Sequence, residues 1–294
     1  MLPTIIRELR KKLKLLRGSL TSTENFCSDI SPIFVIGANR SGTSLLSHLL
    51  SQHPEVEGLF AGSANPALDG NGHSIGYCES YHLWDFLNDE RGVRARDSVP
   101  VHLWGHPMHI SASYRSSVNS KAEKRALTWA VQAARKTERV PLIKDQWNML
   151  RIGMVKEVFP QAKFIMIVRD FKHYIPSCLH KWDKDLRHTD QPNIGLHWLL
   201  LNATAIYDLK KYADNSHFIL SYAELFNKEL AADSFQKLTK KLELSDFSFS
   251  FDAIDEKFTF APVYRPVSKQ ELIFEGLSDV KSIITFEKTV EIHK

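Results

Sequence analysis

Hydrophobic positions along the chain switch between two periods. Ile33–Ile36 is a short β-branched and aromatic run ending at Gly37, and 44–51 follows with helical spacing through Leu45, Leu46, Leu49 and Leu50. Further on, 125–138 reads as a helix, 141–144 as a short strand, 149–159 as a helix, and 163–168 as an uninterrupted buried strand. The stretches 171–182 and 194–212 carry helical spacing, 217–221 is strand-like, and 223–242 is helical again. Strand, helix and strand in series predict an α/β fold: a mainly parallel sheet flanked by helices on both faces. In such sheets ligands sit beyond the carboxyl ends of the strands.

Both flanks of this pattern differ from it. In 1–30, Leu2, Ile5, Ile6, Leu9, Leu13, Leu16 and Leu20 fall on one helical side, and Arg7, Arg10, Lys11, Lys12, Lys14 and Arg17 line the flanks and opposite side, followed by a polar linker. This predicts a basic amphipathic helix that either docks on its own domain or meets an anionic membrane surface. The remainder, 31–294, is expected to be one domain carrying a loop-rich insertion over about 58–139. No stretch is apolar enough to span a membrane, and the start lacks a secretory signal pattern. The net charge of +4 is too small to suggest nucleic acid, and the expectation is a cytoplasmic protein, at most peripheral to the inner membrane face. Cys27, Cys78 and Cys178 form neither a disulfide framework nor a zinc pattern, and no metal is expected.

The chemistry begins at "GANRSGTS", Gly37 to Ser44. It has the glycine frame of a phosphate-binding P-loop, but Thr43 stands where a nucleotide triphosphatase has lysine. Backbone N–H groups from Arg40, Ser41, Gly42, Thr43 and Ser44 can converge on one phosphate at the positive end of the following helix. The lever for β- and γ-phosphates is missing, so triphosphate chemistry is disfavoured, and Arg40 would reach a group attached to that single phosphate. A second anion site is suggested by "FIMIVRDFKHYIPSCLHKW", where Arg169 closes a strand and Ser177 lies on the helix after it. Taken alone, Arg169 and Asp170 could equally be a structural ion pair, and Asp170 could be mistaken for a magnesium-binding acid.

Together these stretches resemble the paired signatures of sulfotransferases that use 3′-phosphoadenosine-5′-phosphosulfate, which implies a P-loop-like fold. "PIFVIGANRSGTSLLSHLLSQHPEV" is similar to the family's 5′-phosphosulfate loop, in the Pro-Arg-Ser-Gly-Thr-Thr branch of tyrosylprotein and bacterial enzymes. Asn39 replaces the usual proline and Ser44 the second threonine. Arg169 and Ser177 fall at the positions that hold the donor's 3′-phosphate, with Phe171 replacing a common proline or glycine. "PLIKDQW" resembles the Lys-Asp-Pro stretch and gives Lys144 a place near the transferred sulfuryl group, while "FILSYAELF" aligns Tyr222 and Glu224 with a Tyr-Glu-Asp-Leu segment. The resemblance implies in-line transfer from this donor to an acceptor hydroxyl, with adenosine 3′,5′-bisphosphate as product and Arg40 and Lys144 stabilising developing charge. Arg265 in "VYRPVSK" is the candidate for a late basic loop over the donor.

An acceptor hydroxyl needs a base. In the matching branch this is a glutamate downstream of the His-Pro pair, and "GYCESYHLW" offers Glu79, whose apolar and aromatic neighbours could raise its pKa. Glu55, Glu57 and Asp69 are rivals, and His73, His82, His106 and His109 are histidine alternatives. Acceptor recognition is expected in 58–139, rich in Tyr, Trp and His, with a saccharide or glycolipid as the expected acceptor. The competing readings are a P-loop kinase using ATP and magnesium, and a nucleotide-binding protein without catalysis.

Overall fold

The computed structural model describes residues 30–60, 80, 83, 110, 113–182, 191–225 and 227–252. The expected N-terminal helix, most of the insertion, Glu79, Asp69, the four histidine alternatives and Arg265 therefore lie outside the described residues. Five strands form one parallel sheet in the order β2-β3-β1-β4-β5: β1 Ile33–Ile36, β2 Val56–Gly58, β3 Val140–Lys144, β4 Lys163–Val168 and β5 His217–Ser221. Among the described residues seven helices connect or follow them: α1 Thr43–Leu50, α2 Lys121–Ala134, α3 Ile152–Val158, α4 Phe171–Trp182, α5 Gln191–Tyr212, α6 Tyr222–Leu225 and α7 Lys228–Leu242. A 3-10 turn, Gln146–Leu150, precedes α3.

Because successive strand residues point to opposite faces, each central strand feeds two cores. Ile33, Val35, Ile165 and Ile167 pack with Leu45, Leu46 and Leu49 of α1 and with Phe235 and Leu238 of α7. Phe34, Ile36, Phe164, Met166 and Val168 pack on the other face with Met154 and Val155 of α3, Tyr174 of α4 and Leu201 and Ala205 of α5. The α/β expectation with helices on both faces is what the chain builds.

Several boundaries differ from the sequence reading for local reasons. The helix expected over 125–138 starts at Lys121, because Ser120 Oγ accepts the Glu123 N–H while Glu123 reaches back to the Asn119 N–H. The helix expected over 149–159 divides at Arg151, and the one over 223–242 divides before Asn227, whose carbonyl side-chain oxygen caps α7. Strand β2 was not expected at all.

Beyond α7 the chain stays ordered along the first core. Gln52 donates to the Ser250 carbonyl at 2.9 Å and accepts from its N–H at 2.8 Å, as a neighbouring strand would. Phe249 and Phe251 stand on Phe235 with centroids 4.7 and 5.4 Å away.

The connections leaving β1 and β4 run to opposite faces and opposite ends of the sheet. Their carboxyl-end loops therefore flank a crevice, the place where open parallel sheets take ligands.

Candidate active site

The loop after β1 turns within a tight backbone. Gly37 lies so close to β4 that an added Cβ would sit 2.6 Å from the Ile167 carbonyl oxygen. Gly42 has φ +91°, a left-handed conformation that favours glycine, and its Cβ would meet Tyr222 at 3.1 Å. Arg40 also takes positive φ, 66°, which a non-glycine residue holds only when neighbours enforce it. Here Arg169 does so, donating from Nη1 to the Arg40 carbonyl at 2.9 Å. The Ser41 hydroxyl is buried without a hydrogen-bond partner, which suits a loop built to meet a ligand oxygen.

Arg169 joins the loop to the helix after β4. Its Nη1 donates to Ser177 Oγ at 3.1 Å, and Arg40 Nε donates to the same hydroxyl at 3.2 Å. The Arg169 guanidinium carbon lies over the Tyr222 ring, 4.2 Å from its centroid. Burial pulls the Arg169 pKa down from its ordinary value, with Tyr222 opposing and Arg40 adding to the shift. Burial also pushes the Tyr222 phenol up. Two cations converging on one neutral hydroxyl form a pocket whose electrostatics an anion would improve. Trp198 Nε1 donates to the Arg169 carbonyl at 3.0 Å and holds the strand end against α5.

Asp170 caps the helix that follows it. Its carboxylate accepts the His173 N–H at 3.2 Å and faces His173 Nδ1 at 2.6 Å, which caps α4. Among the described residues no group of three or more His, Cys, Asp or Glu could hold a metal ion. Cys178, next to Ser177, is buried, and its thiol is pushed up to about 12, so it carries no nucleophilic thiolate.

A second polar centre lies at the helix end of the loop. Lys144 closes β3, is buried, and donates from Nζ to Ser44 Oγ at 3.4 Å. Asp145 accepts the Trp147 N–H at 3.0 Å and starts the 3-10 turn. Arg151, fully inside, has its pKa lowered by burial, and faces Asp145 and the Glu123–Arg115 ion pair, whose contacts are 2.7 and 2.8 Å. Thr43 is buried at the first position of α1.

Sequence expectations thus separate into groups. Arg40, Arg169, Ser177 and Tyr222 come together, as do Ser44 and Lys144. Glu224 forms a capping box with Ser221, accepting its N–H at 2.8 Å and donating to its Oγ at 3.1 Å, so its role is structural. Of the three rivals of Glu79, Glu57 accepts the Lys136 and Thr137 N–H groups, Glu55 is held below the usual carboxylate range by its bond to Ser245, and Asp69 lies outside the described residues. His53 is likewise structural, facing the Ser245 carbonyl at 3.0 Å and ringed by Phe247 and Phe249. One residue escaped sequence reasoning altogether: Ser80, beside Glu79 in the chain, is fully buried and hydrogen-bonded to Lys144.

A sulfotransferase family model matches residues 32–247, most of the chain and every element above. The chain belongs to the sulfotransferase family. Membership makes it an enzyme of sulfuryl transfer, and the family implies 3′-phosphoadenosine-5′-phosphosulfate as donor. Among solved structures, a sulfotransferase from Alicyclobacillus acidocaldarius is similar in fold at 15% identity, covering 87% of this chain and 96% of that one, TM-score 0.50. A sulfotransferase from Mycobacterium tuberculosis H37Rv matches at 15% identity over 78% of this chain and 74% of that one, TM-score 0.49. The sulfotransferase domain of a curacin biosynthetic pathway matches at 16% identity over 75% and 76%, TM-score 0.47. No curated protein matches the sequence.

Proposed function

We propose that this sulfotransferase moves the sulfuryl group of 3′-phosphoadenosine-5′-phosphosulfate onto the hydroxyl of a saccharide or glycolipid. The observation that carries the donor assignment is the convergence of Arg40 and Arg169 on Ser177 Oγ, apart from the Lys144–Ser44 pair. Two cationic centres at two strand ends suit a donor charged at both its 3′ and 5′ groups. A chain of three consecutive phosphates would need the lysine that Thr43 replaces.

In this reading the N–H groups of Arg40 to Ser44, with the Ser41, Thr43 and Ser44 hydroxyls, hold the 5′-phosphate. Arg169 and Ser177 hold the 3′-phosphate, Arg40 assists from the loop, and Tyr222 supports the Arg169 guanidinium. Lys144, together with Arg40, stabilises negative charge as the sulfur–oxygen bond breaks. Glu79 takes the proton from the acceptor hydroxyl. Its covalent neighbour Ser80 is bonded to the Lys144 main chain, which supports a base close to the transfer centre. Arg265 is assigned to the outer side of the donor.

The saccharide or glycolipid acceptor rests on the sequence alone: the aromatic-rich 58–139 and the basic amphipathic 1–30, which suit work at the inner face of an anionic membrane. The test is transfer of radiolabelled sulfate from the donor to saccharide, glycolipid, phenol and peptide panels, with and without magnesium. Labelling of the saccharide or glycolipid panel without magnesium is expected, and Glu79→Gln should abolish it. Magnesium-dependent ATP binding with no affinity for adenosine 3′,5′-bisphosphate would overturn the reading in favour of a kinase. Full activity of Glu79→Gln would remove the base assignment.

A further inference from the structure

The strand that leads to Arg169 outruns the sheet that supports it. Pairing of β4 with β1 stops at Met166 and with β5 at Val168, so the Arg169 peptide lies beyond the last paired residue on either side. Its side chain nevertheless holds one pose, donating from Nη1 to the Arg40 carbonyl at 2.9 Å and to Ser177 Oγ at 3.1 Å. A guanidinium is only as well placed as the main chain that carries it.

The anchor for that main chain comes from α5. Trp198 Nε1 donates to the Arg169 carbonyl at 3.0 Å, supplying a donor where the ladder has ended. The same indole meets Phe171 edge-on, with centroids 5.4 Å apart at 68°, and lies 6.4 Å from the fully buried Tyr174. Phe171 and Tyr174 belong to the first turns of α4, the helix that carries Ser177. Pro176 has no N–H to continue the hydrogen-bond ladder of α4 one residue before Ser177, so the helix backbone depends there on packing from outside. Leu201, Ala205 and Leu209 bury the inner side of α5 in the core, which gives the indole a firm mount.

We propose that Trp198 is a positioning residue for the donor's 3′-phosphate, setting Arg169 through its carbonyl and Ser177 through the helix that bears it. The indole acts through these two residues and leaves the 5′ group to the N–H groups of the loop. Phenylalanine would fill much of the same space without the N–H, so it separates the hydrogen bond from the packing. The inference rests on the sulfuryl-donor reading and deepens its 3′ site.

The experiment compares wild type, Trp198→Phe, Phe171→Leu, Arg169→Ala and the combined Trp198→Phe and Arg169→Ala change, all in the full chain. Each is titrated calorimetrically, below its Tm, with adenosine 3′,5′-bisphosphate and with adenosine 5′-phosphate. Trp198→Phe is expected to weaken the bisphosphate about 3- to 10-fold, the scale of one hydrogen bond, and the 5′-phosphate less than about 1.5-fold. Phe171→Leu keeps the indole bond but removes the ring beside it, and should show the same split at about 2- to 4-fold. It takes over the test if Trp198→Phe does not fold. In the Arg169→Ala background Trp198→Phe should add less than about twofold, because most of its effect runs through that arginine. An indole that served stability alone would instead weaken both ligands alike. The inference is overturned if the ring variant leaves the bisphosphate Kd unchanged, weakens the two ligands equally, or keeps its full penalty without Arg169. Failure of the wild-type protein to bind the bisphosphate at all would sink the sulfuryl-donor reading itself, a result the Trp198 variants do not influence.

Discussion

Arg169→Ala tests the proposed assignment of this residue to the 3′ end of the donor. The guanidinium donates at 3.1 Å to Ser177 Oγ and at 2.9 Å to the Arg40 carbonyl, and lies 4.2 Å over Tyr222. Its orientation is therefore set before any ligand arrives, and a 3′-phosphate gains its full charge-assisted bond without first ordering the side chain. Such a bond is worth about 1.5–3 kcal/mol. At 1.4 kcal/mol per tenfold, the variant should bind adenosine 3′,5′-bisphosphate about 10- to 150-fold more weakly. Adenosine 5′-phosphate provides the control, because it lacks the 3′ group but experiences any loosening of the loop that follows loss of the Arg40 carbonyl bond. Calorimetric titration of both ligands at low ionic strength is the assay, with the 5′-phosphate expected to change less than about threefold. Arg169→Lys should recover only part of the loss, since a point-charge ammonium lacks the fixed fork of donors and the aromatic contact of a guanidinium. Equal losses for the two ligands, or none for the bisphosphate, would refute the assignment of Arg169 to the 3′-phosphate.

Arg40→Ala should also weaken the bisphosphate, by about tenfold, because its Nε shares the Ser177 hydroxyl; an unchanged bisphosphate Kd would confine Arg40 to the transfer step. Gly42→Ala places a Cβ against Tyr222 at a φ of +91°, so it should lower stability by about 1–2 kcal/mol and weaken both adenosine ligands, readable by chemical denaturation and calorimetry. Asp208, buried with Oδ2 unpartnered and Oδ1 accepting the Tyr114 hydroxyl at 3.1 Å, has its pKa raised by burial above the ordinary 3.8. The folded state therefore holds that proton more tightly than the unfolded chain, and stability falls as pH rises from about 3.8 through the folded value. Asp208→Asn should consequently raise Tm at pH 7, with the gain shrinking towards pH 4 in thermal melts; a gain independent of pH would contradict the sign.

What the sequence made legible was whatever repeats locally. The alternation of Phe34 and Ile36 against Ile33 and Val35, and the spacing of Leu45, Leu46 and Leu49, each announce an element within a few residues. Strand β2 is only Val56–Gly58, too short to display a period, and becomes a strand by pairing with β3. The start of α2 was readable in the Ser120–Glu123 capping box, but helical spacing further along drew the boundary inward. At the site, the glycine frame and the Arg169–Ser177 spacing could be read because each lies within one loop or one strand–helix junction. The sharing of Ser177 by Arg40 spans 137 residues of sequence, and the Ser80–Lys144 bond spans 64, so no local pattern could register either. Glu224 shows the opposite case, where a familiar segment turned out to serve a helix start.

The aromatic ladder past α7 bears on where this fold truly stops. The family model ends at residue 247, yet Phe249 and Phe251 lie face to edge on Phe235, and the Gln52 amide grips Ser250. A chain shortened to the family boundary would strip two rings from α7 and leave a greasy groove beside α1. The unit that folds is thus longer than the unit that defines the lineage, and the added stretch of chain works as a clasp behind α1.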